Sequence, residues 1–198
     1  MYRRSLALPA ALAVMLVLVP AAFAARVHVR VEGKTQTIFG SVEPTLNVKA
    51  NALDALEAAS LAGEFYYHVT TSAFGPYVDQ IGRYPAAASS GWIFKVNGIV
   101  PPVGADQVTV KDGDTVLWYW ATFDANGKGP QTLALRRKGN CYRVFAQDDN
   151  GTELHAPGAV LHYAGKTRAA SFTGTCIGRH HSLVYATAPG MVRSNALA

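Results

Sequence analysis

The chain has 198 residues, is 49% hydrophobic and 16% charged, and carries a formal charge of +5 at pH 7. Its basic residues form no basic helix or stripe, which argues against a nucleic-acid partner. The charge is unevenly shared: residues 25–135 hold eight basic and ten acidic side chains, residues 136–198 eight basic and three acidic, with the break at Arg136-Arg137-Lys138. Such asymmetry suggests two units, and it fits either a solvated basic face or an anionic envelope partner.

In chain order, Arg3 and Arg4 precede an apolar run from Leu6 to Pro20, and Ala22-Phe23-Ala24 provides a small-x-small cleavage site. Residues 1–24 therefore read as a secretory signal peptide, too short in its apolar run to span a bilayer. The mature chain is expected to begin near Ala25, without a transmembrane anchor, in a secreted or extracytoplasmic setting (periplasm or cell envelope). Arg26 to Gly33 alternates with its valines on one face and predicts a first strand. A second is expected from Thr35 to Val42, stopping before Pro44.

The period then changes. Asn51 to Ala62 predicts the one helix, with Leu53, Leu56 and Ser60 on a stripe, Asn51 as N-cap, Asp54 completing a box, and Gly63 as the stop. Phe65 to Thr71 is aromatic and β-branched and reads as a strand. Phe74 to Ile81 follows, then a polar loop from Arg83 to Ser90. The strands of Trp92 and Trp118 come next, joined through Asn97-Gly98, Pro101-Pro102 and a short strand around Gln107 to Val110. One helix crossing a small mixed sheet is the β-grasp order, so residues 25–123 are expected to form an α+β, β-grasp domain. Asp124 to Pro130 reads as a linker.

Residues 131–198 carry no helical pattern. Strands are expected at Cys141 to Ala146, Val160 to Ala164, Ala169 to Phe172 and Ser182 to Thr187, with a hairpin turn at Asp148-Asp149-Asn150-Gly151. The fold class is thus α+β followed by all-β, the second part a small antiparallel β-sandwich. In an exported chain the pair Cys141 and Cys176 reads as a disulfide; the competing reading is a metal site with His180 and His181.

All three tryptophans lie between Gly91 and Trp120. Trp92, Phe94 and Val96 share one strand face, opposite Ile93, Lys95 and Asn97; Val116, Trp118 and Trp120 share another, opposite Leu117, Tyr119 and Ala121. Apolar character on both faces requires the helix on one side and either a cover or a binding surface on the other.

Ala73 to Ile81, Gly91 to Gly98, Val103-Gly104-Ala105-Asp106-Gln107 and Asp112-Gly113-Asp114, in that order, resemble the transcobalamin-like C-terminal domain, the small β-grasp domain of the vitamin B12 carriers. The resemblance covers roughly Ala25 to Phe123. It implies a ligand surface made by the aromatic-led strand and its loop, with Tyr77, Trp92, Phe94 and Val103 lining it. It also implies cobalamin or a related corrinoid as the ligand to consider, no cofactor being otherwise indicated. Two departures are visible: the carriers' helical barrel is absent, and Ile93 stands where the carriers tend to have a polar amide. The second part more loosely resembles carboxypeptidase-regulatory or prealbumin-like modules, through Asp149-Asn150-Gly151, Pro157 to Val160, Thr173-Gly174 and Pro189 to Ser194.

None of the six histidines sits beside a nucleophile motif, and no hydrolase, zinc-protease or phosphate-binding signature is present. The expectation is an exported, non-enzymatic protein that binds a small molecule. The alternative is a structural or adhesive envelope protein whose aromatics meet a glycan or protein partner.

Overall fold

The computed structural model describes residues 24–72, 75–171 and 173–198. The expected signal segment therefore lies outside the described residues, apart from Ala24, as do Ala73 and Phe74 of the family-like motif and Phe172. Among the described residues no helix is long and apolar enough to cross a membrane.

β1 (Ala25–Glu32) buries Val27, Val29 and Val31, as its alternation requires. β2 (Thr37–Phe39) and β3 (Thr45–Val48) both pair antiparallel with it. The strand expected from Thr35 to Val42 is thus shortened to β2, and β3, beyond Pro44, was not expected. Between β2 and β3 lies a turn in which the Glu43 N–H donates to the Gly40 carbonyl at 2.8 Å, with both residues at positive φ.

α1 (Ala52–Gly63) starts as predicted: the Asp54 N–H donates to Asn51 Oδ1 at 2.9 Å, and the Asn51 N–H to Asp54 Oδ2 at 3.2 Å. Its end differs. Gly63 remains helical and Glu64 takes the left-handed position (φ 50°). The buried stripe is Ala52, Ala55, Leu56 and Ala59, with Leu53 only partly covered and the Ser60 hydroxyl donating to the Phe65 carbonyl. Three alanines leave little side-chain bulk between the helix axis and the core.

β4 (Tyr67–Ser72), β5 (Gly75–Ile81) and β6 (Tyr84–Pro85) form an antiparallel meander. β7 (Ser90–Val96) pairs antiparallel with β8 (Thr115–Thr122), and β8 lies parallel to β1, giving the order β2-β1-β8-β7. The strand expected at Gln107 to Val110 reduces to one bridge, Asn51 to Thr109. β7 turns at Asn97-Gly98, both at positive φ (52° and 85°), the geometry that this dipeptide favours.

The remaining strands are β9 (Thr132–Lys138), β10 (Cys141–Gln147), β11 (Glu153–His155), β12 (Val160–Tyr163), β13 (Lys166–Ala169), β14 (Thr175–Cys176) and β15 (Val184–Thr187). β9 had no counterpart among the predicted strands, and the strand expected from Ala169 to Phe172 instead ends at Ala169. Two antiparallel sheets, one built on β10 and one on β12, enclose a core that includes Leu133, Tyr142, Val144, Leu161 and Val184, which gives this part sandwich character. Cys141 and Cys176 are register partners on β10 and β14 and form a disulfide. No thiolate is therefore left for the metal reading, and an extracytoplasmic setting is compatible with the bond. Asp148-Asp149-Asn150-Gly151 is the β10–β11 hairpin turn, with Asp148 Oδ1 accepting from the Asn150 and Thr152 N–H groups.

The two parts touch. The second face of β8 packs Leu117, Tyr119 and Ala121 with Val192, Ile93 and Phe123. Lys95, 1% exposed, donates to Thr132 Oγ1 (3.1 Å) and to the carbonyls of Gln147 (3.1 Å) and Asp148 (2.7 Å). Burial pushes its pKa down to about 8, against the pull of Asp149 and Asp148. Between pH 8 and the ordinary lysine value of 10.5 the unfolded chain binds more protons than the folded one, so Lys95 adds stability as pH rises through that window. Urea unfolding at pH 8 and pH 10 is expected to show wild type gaining stability relative to Lys95→Met at the higher pH; equal changes in both proteins would contradict this.

Candidate functional site

The four residues carried over from the family resemblance converge. Tyr77 on β5, Trp92 and Phe94 on β7, and Val103 in the loop beyond the Asn97-Gly98 turn line one apolar cleft of about 230 Å³. Leu53 of α1 and Ala105 line it too. Local structure explains the convergence. A Cβ on Gly91 would lie 2.5 Å from the Tyr77 hydroxyl, so glycine there lets the phenol lie against β7. Burial raises the Tyr77 pKa, opposed by the nearby Trp92 backbone N–H.

The four do not play equal parts. Trp92 is 4% exposed and donates its indole N–H to the Tyr84 carbonyl at 2.9 Å, which makes it a core residue whose edge reaches the cleft. Phe94 stacks on Trp118 with centroids 5.0 Å apart, and Trp118 donates to the Ala52 carbonyl at the start of α1. Tyr77 and Val103 form the open rim, at 40% and 45% exposure. Leu53 and Ala105 were missed by sequence reasoning. The signal for Leu53 was present in its incomplete helical stripe, and that for Ala105 in its place within the family-like motif beside Val103.

The cleft also lies at a free sheet edge. Phe123 donates its N–H to the Ser89 carbonyl and Asn97 its N–H to the Thr115 carbonyl, which fixes the odd-numbered residues of β7 as those bonded to β8. The backbone groups of Ser90, Trp92, Phe94 and Val96 point the other way. The Ser90 and Val96 N–H groups are taken by Ala87 and Ile99. The Phe94 N–H and carbonyl make no such bond among the described residues and stand beside the cleft.

A close histidine–carboxylate contact, His68 Nδ1 to Asp79 Oδ1 at 2.6 Å, lies on the exposed β4–β5 hairpin rather than in a cleft. Among the described residues no group of three or more His, Cys, Asp or Glu side chains is placed to hold a metal ion.

Denaturant unfolding is expected to separate the two kinds of lining residue. Trp92→Ala should lose about 3–5 kcal/mol, as large-to-small changes in a core do, while Val103→Ser should stay within about 1 kcal/mol of wild type. Equal losses would contradict the division into core and rim.

No curated protein matches the chain. Residues 50–122, which run from the helix cap through the cleft to the end of β8 and leave β1 to β3 outside, match the family described as Domain of unknown function (DUF4430).

Proposed function

We propose that the chain is an exported, non-enzymatic binding protein of two domains, residues 25–123 and 131–198. Its β-grasp domain holds an apolar edge of a small ligand in the cleft between Tyr77, Trp92, Phe94 and Val103. The β-grasp reading is supported by the parallel pairing of β1 with β8, the single helix between β3 and β4, and the packing of that helix on the β1–β8 face. The observation that carries the functional reading is an apolar cleft beside unpaired backbone groups of Phe94. Such a pairing suits a ligand with an apolar body and amide groups at its margin. A corrinoid has both, and the transcobalamin-like resemblance falls on the same residues. At about 230 Å³ the cleft would take only the rim of a corrin.

The small volume and open rim also favour a second reading, in which an apolar side chain of an envelope protein fills the cleft. Titration with dicyanocobinamide and cyanocobalamin, followed by tryptophan quenching and co-elution on gel filtration, distinguishes the two. The corrinoid reading expects saturable quenching with co-elution, lost in Val103→Glu, which alters the rim and spares the core. No binding at high micromolar corrinoid would remove that reading and direct the search to envelope proteins and glycans.

A further inference from the structure

Arg193 presents an anomaly that the apolar cleft does not explain. Its side chain is 21% exposed, yet its guanidinium makes no hydrogen bond among the described residues, and its Nε is shielded from solvent without a partner. Among the described residues the carboxylate within ion-pair range of it is Glu32, with Nε to Oε2 at 3.9 Å, too long for a hydrogen bond. Glu32 is already engaged: Oε1 accepts from Arg30 and from Thr37, and Oε2 from Thr37. Burial raises the Glu32 pKa, opposed by Arg30 and Arg193. A guanidinium carries five donors in a planar fork suited to carboxylate and phosphate, and leaving the buried Nε–H without an acceptor is costly.

The surroundings supply a reason. Arg193 lines a cleft of about 520 Å³ together with Lys34, Trp120, Thr122, Thr187 and Met191. Lys34, in the turn between β1 and β2, is exposed and forms no ion pair among the described residues. The indole N–H of Trp120 is buried and likewise unpartnered. The cleft thus combines two cations, an aromatic wall and two hydroxyls in a volume that accommodates a small ligand. It is more than twice the volume of the apolar cleft and shares no lining residue with it.

We propose that this cleft is a separate binding site for an acidic sugar, whose carboxylate is taken by Arg193 and Lys34 while a ring face rests on Trp120 and its hydroxyls meet Thr122 and Thr187. Carboxylate on a sugar ring fits better than a bare anion, because Trp120 and Met191 offer an apolar surface that phosphate cannot use.

Calorimetric titration of the full chain with trigalacturonate tests the assignment, with uncharged maltotriose and inorganic phosphate as controls. The expected result is saturable trigalacturonate binding that weakens with salt and falls about threefold in Lys34→Gln and tenfold or more in Arg193→Gln. Neither control should bind comparably. Thermal melts accompany the variants because Arg193 also faces Glu32 and the Tyr185 ring; Lys34→Gln, at an exposed turn, keeps the test valid if Arg193→Gln fails to fold. No trigalacturonate binding, binding unchanged in Lys34→Gln, or equal binding of phosphate would each overturn the proposal. None of these outcomes depends on whether corrinoids bind at Val103.

Discussion

Burying an ammonium costs several kcal/mol unless its protons find acceptors, and Lys95 finds one for each of three: the Thr132 hydroxyl and the carbonyls of Gln147 and Asp148. Those acceptors lie on β9 and at the β10–β11 turn, whereas Lys95 lies on β7. The contact therefore fixes the sheet that carries the tryptophans against the sandwich-like C-terminal part. Around it, Leu117, Tyr119 and Ala121 on β8 lose their water to Val192 and Phe123, and the Arg30 guanidinium reaches the Arg193 carbonyl at 2.7 Å. A sheet whose second face is closed in this way has its first face free to serve the helix, and its outer edge, β7, free to serve a ligand.

The positions of the two candidate sites follow from that arrangement. The apolar cleft occupies the margin between α1, the β4–β5 hairpin and the exposed edge of β7, on the face away from Lys95. The cationic cleft occupies the seam where the β1–β2 turn and Trp120 meet the segment around Arg193. The first is built from groups that the core has already ordered, such as Phe94 stacked on Trp118. Its shape is therefore preorganised, and a ligand need order little more than Tyr77 and Val103. The second depends on both parts of the chain being in contact.

Much of the N-terminal part was legible because its signals are local. The valine alternation of β1, the Asn51–Asp54 box and the Asn97-Gly98 turn each depend on neighbours within a few residues, and each appears where the sequence placed it. The four cleft residues were legible through the spacing of the family-like motifs rather than through periodicity. What was hidden depends on distant partners. β9 is a short Leu-Ala-Leu alternation followed by Arg136-Arg137-Lys138, and its charges obscured a strand that pairing with β10 makes regular. Lys95 was placed only on the strand face it shares with Ile93 and Asn97; lysine is usually exposed, and only the fold reveals the three acceptors that bury it. The resemblance placed Trp92 on the ligand surface, and its bond to the Tyr84 carbonyl makes it mainly core.

The central claim is that a ligand enters at the free edge of β7, between Phe94 and the rim formed by Tyr77 and Val103. Amide chemical-shift mapping of the ¹⁵N-labelled protein during titration with dicyanocobinamide tests it most directly. The account predicts that the largest shifts fall on Phe94, Val103 and their immediate neighbours, with the Phe94 amide exchanging rapidly in the free protein and becoming protected on binding. Saturable binding with those amides unmoved, and shifts gathered elsewhere on the surface, would contradict it.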